Sequence, residues 1–123
     1  MGVAKENFDK IAEKMNINPK VDQVFITDIA GKPIDWDMVF QFNLDNEDPF
    51  FVEIKTRKVK IFDGKASEPD VVMTGNINAV VRICEGKGDF THAISREQIT
   101  VEKGRVMDVI RLTRAITIVL KTE

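Results

Sequence analysis

In the stretch WDMVFQFNL, residues 36–44, every second residue is apolar: Trp36, Met38, Phe40, Phe42 and Leu44. Successive side chains of a β-strand point to opposite faces, so this spacing predicts a strand with one buried face. The residues between them are mostly polar, which is typical of a face turned to water. This strand is the strongest structural signal in the chain.

Two more strands are predicted directly after it. Phe50, Val52 and Ile54 alternate with other residues, and Val59 and Ile61 repeat the pattern further along. Residues 45–49 are rich in Asp and Asn and end in proline, a composition that favours a turn. Three consecutive strands with short connections predict an antiparallel meander.

The flanking segments add helices and shorter strands. Asn76 is predicted to cap a helix that ends at Gly86. The secondary structure of residues 21–29 is ambiguous, because the apolar spacing suits a helix but the β-branched content does not. Residues 31–33 predict a turn. Helices are predicted at residues 4–15, 77–84, 90–94 and 105–120, and strands at residues 69–75 and 99–104. Strands mixed with helices predict a single α+β domain over residues 1–123, with helices on one face of the sheet.

The composition argues against several classes of protein. Hydrophobic residues make up 43% and charged residues 31%, which is typical of a folded globular chain. The formal net charge of -2 gives no basic excess for nucleic acid, and no apolar run approaches the roughly 18 residues of a membrane span. Cys84 is the only cysteine, and the first residues lack the apolar core of a signal peptide. We therefore expect no nucleic-acid partner, no transmembrane segment and a cytoplasmic location.

No combination of residues predicts a catalytic or metal site. His92 is the only histidine, and an isolated helix histidine is more typical of a partly exposed side chain than of a catalytic base. Asp35 and Asp37 are interpreted as the wet face of a strand rather than as paired catalytic carboxylates. The acidic residues between 45 and 48 lack the pattern of a calcium loop. We therefore expect a protein that is not an enzyme and that needs no metal or cofactor.

The clustered aromatic and methionine side chains leave two interpretations open. Trp36, Met38, Phe40, Phe42 and Phe50 lie on one side of the predicted sheet. They either fill an ordinary core or line a cavity, and periodicity alone does not separate these cases.

Residues 39–115 contain an ordered series of segments with a characteristic spacing. The series consists of an aromatic strand at 39–44, strands at 51–55 and 59–61, Pro69-Asp70-Val71 before the fourth strand, a helix leading into Glu85-Gly86-Lys87, and a strand closing on Gly104. This series resembles the sterol carrier protein lipid-transfer domain family. Two features depart from the family pattern: Gly104 lies about one residue later than usual, and the chain has no tyrosine. These departures affect the expected shape of a pocket more than the expected fold.

The resemblance implies a five-stranded mixed, mostly antiparallel sheet, with helices packed on one face and a hydrophobic tunnel between the layers. It also implies non-catalytic carriage of an apolar ligand: a fatty acid, a fatty acyl-CoA or a sterol-like lipid. A polar head is expected near Lys87 or Arg111. The same kind of domain also occurs as a non-catalytic part of alkyl sulfatases. By position, the ligand-binding residues would be Phe40, Phe42, Val52, Ile54, Met73, Ile83, Ile94, Met107 and Ile110.

A second hypothesis is a structural or protein-interaction module with a closed core and no ligand. Phe51 and Phe62 alternate out of phase with the buried residues, so we expect them on the outer face of the sheet. Exposed aromatic residues favour self-association, and a homodimer is one expected outcome. The last predicted helix serves as a movable lid in the first hypothesis, or simply as a cover that the sheet needs.

Overall fold

The helices and strands of the chain are defined by a computed structural model, which describes residues 3–45 and 47–121. The helices are α1 (Val3–Met15), α2 (Pro19–Val24), α3 (Ile77–Cys84), α4 (Phe90–Ser95) and α5 (Val106–Lys121). The strands are β1 (Ile26–Ile29), β2 (Lys32–Asp35), β3 (Met38–Leu44), β4 (Phe50–Lys55), β5 (Lys58–Asp63), β6 (Val71–Gly75) and β7 (Ile99–Lys103).

Five strands form the main sheet, in the order β5-β4-β3-β6-β7. Strands β3, β4 and β5 pair in antiparallel fashion, which confirms the predicted meander. Strand β6 lies parallel to β3, with Phe40 opposite Val71, and β7 pairs antiparallel to β6. The pairing shifts between Val101 and Lys103, so β7 carries a one-residue bulge. The predicted α+β class and the five-stranded mixed sheet are both confirmed.

The helices cover the sheet face that carries the alternating apolar residues of β3. The ring of Phe42 lies 5.0 Å from that of Phe8 in α1 and 6.2 Å from that of Phe90 in α4, measured between centroids. Helix α5 adds a row of buried side chains to the same core: Val109, Leu112, Ala115, Ile116 and Val119. This row favours the covering role predicted for the last helix, and its role as a lid stays a prediction.

Residues 19–35 differ most from the structure that the sequence predicts. They form helix α2, which Asn18 caps, followed by a separate two-stranded hairpin of β1 and β2. The turn predicted at residues 31–33 was wrong in position, because the hairpin turns at Ala30 and Gly31, whose φ angles are 53° and 80°. A two-residue turn with both φ angles positive matches the twist of a hairpin. Pro33 then fits in β2, because a two-stranded sheet has open edges.

Asp70 and Gly104 meet where β6 begins and β7 ends. The Asp70 carboxylate accepts a hydrogen bond from the Val39 amide at 2.8 Å, and the Asp70 amide donates to the Val39 carbonyl at 2.9 Å. Gly104 has a φ of 98°, and a Cβ atom there would lie 2.6 Å from the Asp70 carbonyl oxygen. Both the conformation and the space therefore require glycine. This junction gives a physical reason for two of the residues that carry the family resemblance.

Two polar side chains tie α1 to the rest of the domain. The Asn16 amide group donates to the Val59 carbonyl at 2.9 Å and accepts from the Val59 amide at 2.8 Å, on the edge strand β5. The Glu47 carboxylate accepts from the amides of Ala4 and Lys5, both at 3.0 Å, and so caps the start of α1. The acidic segment at 45–48 thus contributes a helix cap, and Asn46 lies outside the described residues.

Candidate functional site

Most of the predicted lining residues lie together in the core beneath the helices. Phe40, Phe42, Val52 and Met73 are fully buried, and Ile54 is nearly so. The Phe42 ring stacks on the ring of Phe50 with 5.1 Å between centroids, so neighbouring side chains are in contact. The structure therefore brings these residues together on the inner face of the sheet. A tunnel between the layers stays a prediction.

Met107 and Ile110 lie on the outer side of α5 instead. Met107 is 75% exposed and Ile110 is 38% exposed. They border an open groove of about 420 Å³, named here the α2–α5 groove, which is lined by Gln23, Val24, Ile26, Met107, Ile110, Arg111 and Arg114. An apolar wall beside cationic groups suits the chain and the acidic head of an amphiphile.

Arg111, one of the two cations expected near a polar head, is already engaged by the protein. Its Nε and Nη2 atoms donate to the carbonyls of Val24 and Ile26 at 2.6 and 2.7 Å, and Nη1 donates to the Thr27 hydroxyl at 2.8 Å. Its guanidinium carbon also lies 4.6 Å from the ring centre of Trp36, a cation–π contact. Burial and then the neighbouring charge of Arg114 lower the pKa of Arg111. The main role of Arg111 visible here is to hold α2 and β1 against α5.

Ile83 borders two further cavities on the helical side of the molecule. The α3–α4 pocket, about 260 Å³, is lined by Ala79, Arg82, Ile83, Lys87, Gly88, Asp89, His92, Ala93, Arg96 and Gln98. The α3–α5 groove, about 520 Å³, is lined by Ile83, Glu85, Gly86, Gly88, Thr113, Ile116, Thr117, Leu120 and Lys121. Lys87, the other cation expected near a polar head, thus lines the α3–α4 pocket. Ile94 is partly buried and packs against the core.

The titratable side chains considered in the sequence have structural partners. The Nδ1 atom of His92 lies 3.4 Å from the Asp89 carboxylate, which also accepts from the His92 backbone amide at 2.8 Å as the cap of α4. Asp37 accepts from the Thr56 amide at 3.1 Å, and Asp35 lies 3.4 Å from Arg57, so both carboxylates support the turn between β4 and β5. Within residues 3–45 and 47–121, no three His, Cys, Asp or Glu side chains come together as metal ligands.

Cys84 is a buried thiol at the end of α3. Burial, and to a lesser extent the charge of Glu85, raises the pKa of this thiol to about 12. The thiolate is the reactive form of cysteine, so Cys84 is protonated and unreactive at neutral pH.

Phe51 and Phe62 lie side by side on the outer face of the sheet, as predicted. They are opposite each other across β4 and β5, and their rings stack with 5.1 Å between centroids. Phe62 is 39% exposed, so the pair presents aromatic surface to solvent. Self-association through this surface stays a prediction.

Arg82 and Arg96 escaped the sequence-based search, as did the structural role of Arg111. Arg82 and Arg96 line one pocket only because α3 and α4 pack side by side, and no local spacing signals that arrangement. Arg111 had a weak signal, because it is a charged residue placed between the buried Val109 and Leu112. Its three acceptors lie 84 to 87 positions earlier in the chain, beyond the range of any local pattern.

Several solved structures share this fold at low sequence identity. SCP2L2 from Aedes aegypti, determined in palmitated form, is 19% identical with a TM-score of 0.64, over 94% of this chain and 95% of that chain. The UbiJ-SCP2 ubiquinone synthesis protein is 10% identical with a TM-score of 0.68, over 95% of each chain. The sec-alkylsulfatase Pisa1 from Pseudomonas sp. is 13% identical with a TM-score of 0.54, over 66% of this chain and 12% of that chain. No curated protein matches significantly.

These similarities define the class of the protein as an α+β domain of the sterol-carrier fold. The sequence profile of the SCP-2 sterol transfer family matches residues 23–114, so the chain belongs to that family. Membership connects the chain with lipid binding or transfer. In the part of the chain that the structure describes, no helix is both long enough and apolar enough to cross a membrane.

Proposed function

We propose that this chain binds a lipid with a single acyl chain, such as a fatty acid or a fatty acyl-CoA, and carries it without chemical change. The observation that carries the proposal is the position of α5, which covers the apolar inner face of the sheet and borders an open groove on each side. Membership in the SCP-2 sterol transfer family supports the same function, as does the palmitated form of a protein that shares the fold. A carrier of this kind suits the cytoplasmic location expected from the sequence.

The energetics of burial support a lipid of this size. Removing apolar surface from water stabilises a complex by about 25 cal/mol per Å², or roughly 0.8 kcal/mol for each CH₂ group. A chain of about 16 carbons therefore reaches micromolar affinity after the costs of association are subtracted. The apolar walls of the two grooves, Met107 and Ile110 on one side and Ile116 and Leu120 on the other, supply surface for such a chain.

The first test is native mass spectrometry of protein purified from its source, where we expect a co-purifying lipid. Displacement of a fluorescent acyl probe by palmitate then gives an affinity. Met107→Asp places a charge in the α2–α5 groove and Leu120→Asp places one in the α3–α5 groove. At least one of these variants should bind palmitate about tenfold or more weakly than the wild type does. Ile17→Asp is the matched control, because Ile17 is 83% exposed and borders none of these cavities. Absence of both a lipid adduct and palmitate binding would refute the carrier function.

The alternative function is that of an interaction module, and the stacked Phe51–Phe62 pair specifically favours it. In that case the outer face of the sheet contacts a partner or a second copy of the chain. Phe51→Ser should then shift a dimer towards monomer in static light scattering. A monomer in both the wild type and the variant removes the homodimer from consideration.

A further inference from the structure

The α3–α4 pocket concentrates positive charge from three different segments. Arg82 comes from α3, Lys87 from the loop that follows, and Arg96 from the C-cap position directly after α4. The same pocket includes His92 and one carboxylate, Asp89, while its apolar surface comes from Ala79, Ile83 and Ala93. Cationic groups thus surround a small cavity with an apolar floor.

Two of these cations are not ion-paired within the described part of the chain. Lys87 lies 3.8 Å from the Glu85 carboxylate, and His92 faces Asp89. Arg82 and Arg96, in contrast, form no ion pair with any residue in the ranges 3–45 and 47–121. A guanidinium group offers a planar fork of donors that matches the oxygens of a phosphate. The pocket is therefore lined by two arginines that are not ion-paired among residues 3–45 and 47–121 and are available to an anion.

The pocket adjoins the α3–α5 groove, whose lining is partly apolar. Ile83 and Gly88 line both the α3–α4 pocket and the α3–α5 groove. A Cβ atom at Gly88 would meet no atom within 4 Å, so there is open space beside this shared residue. Beyond it, the groove is walled by Ile116 and Leu120 of α5.

We infer that the α3–α4 pocket holds the phosphate group of a single-chain amphiphile whose apolar chain lies in the α3–α5 groove. This inference rests on the proposed function, because it names the class of lipid and the place of its head. A phosphate suits the pocket better than a carboxylate does, because it carries up to two negative charges and more acceptor oxygens for Arg82, Arg96 and Lys87. The groove, at about 520 Å³, lies within the size range of small-molecule sites, about 300–1,000 Å³, and the pocket, at about 260 Å³, lies just below it.

The probe for this inference is dodecyl phosphate, compared with dodecanol, which keeps the chain, and with inorganic phosphate, which keeps only the head. Isothermal titration would measure the affinity of each. In the double variant Arg82→Gln/Arg96→Gln, the affinity for dodecyl phosphate should fall by at least about tenfold, while the affinity for dodecanol should change by less than about twofold. Arg57→Gln is the matched control, because it also removes an exposed arginine and Arg57 borders none of the three cavities; it should leave both affinities unchanged.

A second variant tests the chain position. Thr117→Trp fills the α3–α5 groove and should weaken dodecyl phosphate and dodecanol to the same extent. In amide NMR spectra, dodecyl phosphate should shift the signals of Gly88 and His92 together with that of Thr117.

The possible results separate the inference from the function beneath it. Unchanged binding of dodecyl phosphate by the double arginine variant would overturn the head position while leaving lipid binding intact. Inorganic phosphate bound as tightly as dodecyl phosphate would show a simple anion site and overturn the assignment of the chain. Failure of palmitate, dodecanol and dodecyl phosphate alike would refute the carrier function itself.

Discussion

Replacing Arg111 tests how the N-terminal segments are held on the helical layer. Arg111→Met keeps most of the aliphatic stem but removes the hydrogen bonds to the Val24 carbonyl, the Ile26 carbonyl and the Thr27 hydroxyl. It also removes the charge above the Trp36 ring. The segment from α2 to β1 then loses its main polar attachment to α5.

The magnitude follows from these contacts. Hydrogen bonds to a charged group contribute about 1.5 kcal/mol each at the low end, and a cation–π contact adds about 1 kcal/mol. Arg111 is only partly buried, so water compensates part of the loss at the two carbonyls. We expect the free energy of unfolding to fall by about 2–4 kcal/mol, which corresponds to a urea midpoint lower by about 1–2 M.

Urea denaturation followed by tryptophan fluorescence measures this directly, because Trp36 is the only tryptophan and lies under the guanidinium group. Arg111→Lys should show an intermediate loss, since one ammonium group cannot reach three acceptors at once. Arg114→Met, on the same helix but exposed, should change stability by less than about 0.5 kcal/mol. If Arg111→Met loses no more than Arg114→Met and the Trp36 emission is unchanged, the attachment described here is wrong.

Three further substitutions test other features. Gly104→Ala should lower the free energy of unfolding by about 2 kcal/mol or more. Gly64→Ala is its control and should lower it less, because Gly64 has a similar φ of 93° but no atom within 4 Å of an added Cβ. Equal losses in thermal melts would leave backbone strain as the sole reason for glycine at position 104. Asn16→Ala should cost about 1–3 kcal/mol by leaving both backbone groups of Val59 without their partner, whereas a loss near zero would mean that water replaces them fully. Burial raises the pKa of the Cys84 thiol from 9.0 to about 12. Above pH 9 the unfolded chain therefore loses a proton that the folded chain keeps. The free energy of unfolding then falls by about 1.4 kcal/mol per pH unit until about pH 12. Cys84→Ala should lack this part of the alkaline loss, and identical slopes for both proteins between pH 9 and 10.5 would contradict it.

The sheet was predictable because its signal is local. The alternation at residues 36–44 predicts the burial of Phe40, Phe42 and Leu44 in β3, and short connections fix the pairing of the meander. Gln41, which the alternation assigns to the wet face, is nevertheless buried. The family resemblance implied only that the sheet is mixed, and the parallel pairing of β3 with β6 was not predicted, since it joins Phe40 to Val71 across a long intervening segment. Periodicity within a strand says nothing about such a pairing.

The rotation of α5 shows why the candidate site was harder to predict. Hydrophobicity alone favours burial of Met107 and exposure of Asp108, and the structure has the opposite arrangement. Val109 and Leu112 face the core, and they set the rotation of the helix. Asp108 is then only 8% exposed and is compensated by Arg105, whose Nε lies 3.3 Å from its carboxylate. The cavities depend on such packing between distant elements, so their positions could not be read from local patterns.

The two edge strands of the main sheet, β5 and β7, are both protected against pairing with another chain, and this affects aggregation. An exposed edge strand offers unpaired amides and carbonyls to which another chain can add a strand, as in amyloid. On β5 the Asn16 amide occupies both backbone groups of Val59, and on β7 the bulge between Val101 and Lys103 breaks the regular ladder. Extension of the sheet from one molecule into the next is therefore disfavoured at both sides. Two copies of the domain would therefore have to associate through side chains on a face of the sheet. A substitution that removes the Asn16 amide would favour fibrous assembly as well as unfolding.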